Sequence, residues 1–271
     1  MKTFNNLYSQ IISTGNLFHS WDRFKKGKRS KHDVMLFERN LEQHIFTLHR
    51  ELREKTYKHQ PYFGFYISDP KIRHIHKATV RDRIVHHALF NILNPIFEPT
   101  FIFDSFSCRI GKGNHVGMKR LEQMTRRVSK NYTKNCFALK CDIRKFFDSI
   151  DHNILKEIIF RKIKDEDVRW LINNVIDSFE HGVGSGKGLP IGNLTSQLFC
   201  NIYMNEFDQF IKHKLRRPHY LRYTDDFIFL SNSEDKFDNL LKEIIVFLRD
   251  KLRLELHDHK IVTRSLHQGI D

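Results

Sequence analysis

Apolar positions along the chain change period several times, and each change marks an element. Over residues 1–60, Phe37, Leu41, Ile45, Leu48 and Leu52 recur at helical spacing between charged residues. That periodicity predicts a helical N-terminal segment. Pro61 and Pro70 bracket a strand-like run, Tyr62 to Ile67, and Lys71 to Ile75 forms a second short run. From Asp82 to Leu93 the helical period returns, with Ile84, Val85, Ala88, Leu89 and Ile92 on one face. A basic helix is expected up to about Lys130, then a short apolar strand, Phe137 to Cys141, which ends on Asp142. Two helices follow, to about Ile163 and from Asp167 to Phe179. Gly182, Gly184, Gly186, Gly188 and Gly192 crowd one stretch, where backbone is expected to approach a neighbour closely. A helix over about Thr195 to Lys214 leads to two strands, Leu221 to Tyr223 and Phe227 to Leu230, around a tight turn. An amphipathic helix, Asp235 to Leu252, and a last strand, Ile261 to Thr263, complete the pattern. Strands separated by helices without a regular strand-helix-strand repeat predict an α+β fold.

Composition narrows the function. Hydrophobic residues make up 40% of the 271 positions, enough for a real core, and 24 Phe argue against a disordered chain. The 46 Lys and Arg against 32 Asp and Glu leave a net charge of +14. A surplus of that size favours a nucleic-acid or phosphate partner. A local cluster, Lys25-Lys26-Gly27-Lys28-Arg29-Ser30-Lys31, reads equally well as a solvated loop or as a contact to nucleic-acid backbone. Cys108, Cys136, Cys141 and Cys200 form no Cys-x-x-Cys pair, which disfavours a zinc site or a disulfide framework. The N-terminus lacks the apolar core of a signal peptide, and no run approaches membrane-spanning length. A cytoplasmic protein without a membrane partner is the expectation.

The candidate chemistry lies in carboxylates. Tyr223-Thr224-Asp225-Asp226 places two adjacent carboxylates at a hairpin turn between apolar runs. Alone, this reads as a solvated turn rather than a site. Asp142, at the end of an apolar strand and followed by Ile143-Arg144-Lys145-Phe146-Phe147-Asp148, changes the balance. A strand-end carboxylate and a hairpin pair can share one site, and hard oxygen ligands suit magnesium. Three carboxylates so placed can hold two ions, which activate a 3′-hydroxyl and stabilise departing pyrophosphate. Gly186-Lys187 is followed by Gly188, so the glycine stretch fails as a phosphate-binding loop of the P-loop type.

These segments resemble the palm of a reverse transcriptase. The strand aspartate with Phe-Phe-Asp comes first, then Gly188-Leu189-Pro190-Ile191-Gly192-Asn193-Leu194-Thr195-Ser196-Gln197, then Tyr-Thr-Asp-Asp, in the order and spacing of that family. The Ile-Gly-Asn-x-x-Ser-Gln string resembles the variant of diversity-generating retroelements; group II intron and retron enzymes usually carry Gln-Gly-x-x-x-Ser-Pro. Lys71-Ile72-Arg73, Arg81 to Leu89 and Asp104 to Gly113 resemble the family's finger segments.

The resemblance implies a right-hand polymerase fold of fingers and palm, with a mainly antiparallel palm sheet packed on helices. Residues 61–135, with a part returning near 150–185, would be fingers, and 136–271 the palm. It implies Asp142, Asp225 and Asp226 as the catalytic, metal-binding carboxylates, with the Ile143 carbonyl as a further ligand of two Mg²⁺ ions, for which Mn²⁺ could substitute. Phe147, five positions after Asp142, matches an aromatic steric gate that excludes a 2′-hydroxyl, although Phe146 is the alternative core ring. Lys71 and Arg73 stand where finger residues hold the triphosphate, with Arg81 and Arg83 as alternatives. Ile191 and Gly192 belong to the nucleotide site, and Lys260 falls where a late palm lysine meets pyrophosphate. Arg109, Lys112, Gln197 and Tyr223 are candidates for template or primer contact. His257 and His259, beside Lys260, are read as surface residues. Implied partners are template RNA and its cDNA, dNTPs and a small basic accessory protein, in a prokaryotic or phage setting.

The family's primer-grip hairpin and helical thumb would follow Gln268-Gly269-Ile270-Asp271, so they are expected to be missing from this chain. Two other readings stay open: a retron or abortive-infection reverse transcriptase, disfavoured for the retron by Ser196-Gln197, and a catalytically inactive RNA-binding remnant.

Overall fold

A computed structural model of the chain describes residues 2–68 and 72–269. In chain order its main elements are α1 (Tyr8–Ile12), α2 (Thr14–Phe24), α3 (His32–Arg39), α4 (Leu41–Arg53), β1 (Phe63–Ser68), β2 (Ile72–Lys77), α5 (Val80–Phe97), α6 (Asn114–Val128), β3 (Phe137–Asp142), α7 (Phe146–Ser149), α8 (His152–Lys162), α9 (Glu166–Ile176), α10 (Leu194–Gln209), β4 (Tyr220–Tyr223), β5 (Asp226–Ser231), α11 (Lys236–Leu252) and β6 (Val262–Ser265). The α+β expectation holds: helices pack with antiparallel sheets. The chain forms two compact units, residues 1–99 with 152–199, and 100–151 with 200–271.

The first unit is mostly helical. Ile45, Leu48 and Leu52 of α4 are fully buried, as their spacing demands. The periodic run is nevertheless two helices, because Asn40 leaves helical geometry at φ −124°, ψ 40°. The α5 helix extends beyond its apolar stripe at both ends. Thr79 caps it by accepting from the Asp82 amide, and Pro95 sits inside its last turns. The buried Asp82 carboxylate is satisfied by Tyr57 Oη at 2.8 Å, Thr79 Oγ1 at 2.6 Å and the Gln60 amide at 3.1 Å. β1 and β2 form a two-stranded antiparallel hairpin in which Phe63, Tyr66 and Ile72 stand exposed.

The second unit is built on a four-stranded sheet in the order β4-β5-β3-β6, every pair antiparallel. Side chains alternate across it. Ala138, Leu221, Ile228 and Leu230 face one way and pack with Phe106 and with Met124 of α6. Tyr220, Phe227 and Phe229 face the other way, against Phe207 of α10, whose ring also meets Phe247 of α11. The predicted helix to Lys214 is α10 followed by a wider π-turn, Phe210–Lys214. All four cysteines are free thiols, and burial pushes Cys141 up to about 12. Among the described residues, no helix is long and apolar enough to cross a membrane.

Candidate active site

Strand register brings the carboxylates of the second unit together. β3 and β5 pair so that Asp142 lies directly opposite Asp226, and the same face carries Ala138 and Leu230 further along. Like charges directly opposed on a sheet repel, so this pairing carries a cost that an apolar pair would not. Asp225 closes the hairpin between β4 and β5. Burial raises the Asp225 carboxyl to about 6, with the charges of Asp142 and Asp226 adding to it and Lys260 opposing it. Asp226 is raised for the same reasons, first burial and then Asp142, which also hydrogen-bonds to it.

Positive charge reaches the cluster from Lys260, whose Nζ lies 2.6 Å from Asp142 Oδ2. Among the described residues, no group of three or more His, Cys, Asp and Glu side chains stands in an arrangement that holds a metal ion. In kind, the donor set still fits a divalent cation: it consists of hard carboxylate oxygens whose mutual repulsion a cation relieves. The Ile143 carbonyl is compatible with that set. The bridge between Ile143 and Leu256 is bonded through the Asp142 carbonyl, which accepts from His257, and the Arg144 amide, which donates to Glu255.

A buried ion pair fixes the turn. Arg222, one residue before Tyr223, is 1% exposed and grips the fully buried Asp208 of α10 through Nε at 2.9 Å and Nη2 at 2.7 Å. Its Nη1 donates to the Thr224 carbonyl at 2.8 Å, and its Nη2 to Ser105 Oγ at 3.1 Å. Tyr220 Oη donates to the same Asp208 carboxylate at 2.7 Å. Burial works against the Arg222 charge, but Asp208 outweighs it and holds the guanidinium above its usual range. Thr224 takes a left-handed φ of +57°, and its hydroxyl donates to Ser107 Oγ at 2.6 Å. These contacts hold the segment that presents Asp225. Sequence pattern singled out neither Arg222 nor Asp208, because an internal Arg in a short strand reads as edge polarity until its partner is known.

The remaining sequence candidates fall in both units. In the second, Phe146 is core at 2% exposure while Phe147 is half-buried, so Phe147 is the ring with an open face. Tyr223 is exposed. Arg109 Nη1 donates to the carbonyls of Ile102 and Ser105, at 2.7 and 2.8 Å, and Lys112 Nζ to that of Phe103 at 2.9 Å. His257 is half-buried and His259 exposed.

In the first unit, Arg73 sits exposed on the hairpin opposite Ile67, and Lys71 lies outside the described residues. Arg81 is paired with Glu51, and Arg83 with Asp33 at 2.6 Å. The Ile191 carbonyl accepts from the His76 amide at 3.0 Å, and Asn193 Nδ2 donates to the His76 carbonyl at 2.8 Å. The loop carrying Ile191 and Gly192 is thereby stitched to the end of β2, and Gln197 lies exposed on the first turns of α10. Close backbone approach holds for only part of the glycine stretch. A Cβ on Gly192 would lie 2.9 Å from Ile75 and one on Gly188 3.0 Å from His181, whereas Gly182, Gly184 and Gly186 face open space.

Comparison with known proteins agrees with this arrangement. Residues 57–268 match the reverse transcriptase (RNA-dependent DNA polymerase) family profile. The chain is 29% identical to protein YkfC of Escherichia coli over 62% of its own length and 45% of that protein's. It is 27% identical to the group II intron-encoded protein LtrA of Lactococcus lactis over 81% of its length and 37% of that protein's. It therefore spans less than half of these relatives. Among solved structures, apo telomerase from Candida tropicalis, truncated from its C-terminal domain, superposes with a TM-score of 0.54 at 15% identity, covering 80% of this chain and 54% of that one. That likeness is one of fold. The matched profile covers most of the chain and both the strand carrying Asp142 and the hairpin carrying Asp225 and Asp226, so the chain belongs to the reverse transcriptase family.

Proposed function

We propose that the chain is the fingers and palm of an RNA-directed DNA polymerase of the diversity-generating type, which copies a template RNA into cDNA. The observation that carries the reading is the register pairing of Asp142 with Asp226 beside a half-buried Asp225 on an Arg222-anchored turn. In this reading 61–135 and part of 150–185 act as fingers, and the sheet of residues 136–271 acts as palm. Asp142, Asp225, Asp226 and the Ile143 carbonyl would hold Mg²⁺. When bound, magnesium supplies Lewis-acid stabilisation of charge on the phosphoryl oxygens and eases loss of the 3′-hydroxyl proton. The protein's own residues do the rest. Lys260 presents an ammonium to the carboxylate end of the site, where pyrophosphate charge develops. Phe147 offers a flat ring to the sugar and disfavours a 2′-hydroxyl. Arg73 and the exposed aromatic residues of the hairpin suit contact with triphosphate and nucleic acid.

Ile191 in place of a polar residue supports the diversity-generating assignment. Without a side-chain amide to hydrogen-bond near the incoming nucleotide, selection against mispairs opposite adenine is weakened. Ile191→Gln is expected to lower misincorporation opposite template adenine several-fold in a sequencing fidelity assay; an unchanged error spectrum would remove the assignment. A second reading, an RNA-binding protein without polymerase activity, is favoured by the Lys260–Asp142 ion pair and the net charge of +14. Primer extension on an RNA template separates the two readings.

A further inference from the structure

The second unit holds a cavity of about 340 Å³ at the end of β5 remote from Asp226. Five basic side chains line it: Arg127 from the last turn of α6, Arg216, Arg217 and His219 from the link into β4, and Lys236 from the start of α11. None of its described lining residues is acidic. Its apolar part includes Val128, Leu230, Phe237 and Leu240. Three to five strand residues separate the cavity from Asp226, roughly 10–17 Å along β5, so it is not part of the carboxylate site.

The pairing of these cations differs from that elsewhere in the unit. Arg222 and Arg120 each meet a carboxylate, Asp208 and Asp104. Among the described residues, Arg127, Arg216 and Arg217 form no ion pair. Arg217 Nε is buried and has no hydrogen-bond partner. A buried N–H left without an acceptor costs about 1–3 kcal/mol. The local field is positive as well: burial first, and then Lys212, Arg127 and Arg120, hold the His219 ring below its ordinary range against the pull of Asp104.

An acceptor that fits guanidinium groups of this kind is a phosphate, which takes two N–H groups from one fork. The volume matches pockets that hold one small ligand, and the apolar lining offers a surface to a base. We propose that this pocket binds a single nucleotide unit, its phosphate held by Arg127, Arg216 and Arg217 and its base resting on Val128, Phe237 and Leu240. The nucleotide is a residue of an RNA strand or a free nucleotide, and the two sources are separable. The site does not depend on polymerase chemistry, so its test reads binding alone.

The test compares three forms of the full chain: wild type, Arg127→Gln/Arg216→Gln, and a charge-matched control on the exposed face of α11, Lys242→Gln/Lys251→Gln. One arm titrates a short fluorescein-labelled single-stranded RNA by anisotropy at several salt concentrations. The other measures melting temperature with and without millimolar AMP. If the source is a strand, the pocket variant loses about tenfold in RNA affinity and its salt slope falls by about 1–2, while the control falls by clearly less. If the source is a free nucleotide, AMP raises the melting temperature of wild type and control but not of the pocket variant. The exposed Lys236→Gln, which disturbs no core contact, is expected to show a smaller effect of the same kind. Equal RNA losses in pocket variant and control, with AMP shifting none of the three forms or all alike, would overturn the proposal.

Discussion

Asp225 costs stability at the position proposed for the chemistry. Its carboxyl sits at about 6 because burial disfavours the charge and Asp142 and Asp226 repel it. A folded-state value above the unfolded one means that stability is fullest below the unfolded value, near 4, and is lost as pH rises through about 6. In metal-free protein at pH 8, Asp225→Asn should therefore raise stability by roughly 2 kcal/mol, read as a higher urea midpoint in EDTA. The gain should vanish near pH 4; a variant less stable than wild type at pH 8 would contradict the electrostatics. Arg222 gives the opposite case. Its removal leaves Asp208 buried without its partner, and Arg222→Leu should cost about 3–5 kcal/mol. Part of that loss should return in Arg222→Leu/Asp208→Leu, measured by the same denaturation. The three aspartates were legible in the sequence because strand ends and an adjacent acidic pair are local signals. The Arg222–Asp208 pair was not, because two residues on different elements meet only once α10 packs on the sheet.

At the scale of elements, apolar periodicity located most helices and strands of the described chain, and the errors have physical causes. The stripe from Phe37 to Leu52 shows no break in periodicity, yet Asn40 interrupts its backbone. The C-terminal end of α5 passes beyond its last stripe residue through Pro95, against the usual stop signal. The glycine stretch divides according to what each Cβ would meet, which no local pattern reveals. Gly192 has φ +106° and would press a Cβ to 2.9 Å from Ile75, whereas Gly184, at φ +73°, faces open space. Gly184→Ala should cost about 1 kcal/mol, from backbone strain alone. Gly192→Ala should cost about 1 kcal/mol more, because Ile75 must yield as well. Thermal melts of the two variants decide this, and equal losses would contradict the packing at Gly192. Side chains of the same loop tie it to β2 through Asn193, so the loop that carries Ile191 is an ordered part of the first unit.

For the whole molecule, charge and family agree. A net charge of +14 suits a protein that handles nucleic acid, and the match over residues 57–268 places the chain in the reverse transcriptase family. The order of motifs was enough to read the family from sequence, since strand-end aspartate, glycine-bearing loop and acidic hairpin are each local and their spacing is long-range. The cation pocket at the far end of β5 was not legible, because Arg127, Arg216 and Lys236 come from three separate segments. Asp142, Asp225 and Asp226 are proposed to form a nucleotidyl-transfer site. Its most direct test is primer extension by this chain on an RNA template with dNTPs and magnesium, beside Asp225→Ala. Extension by the wild type is expected, with a loss of at least a hundredfold in the variant, about 2.7 kcal/mol or more of transition-state stabilisation, and RNA affinity retained. Extension that survives Asp225→Ala, or tight salt-sensitive RNA binding with no extension by either form, would contradict it.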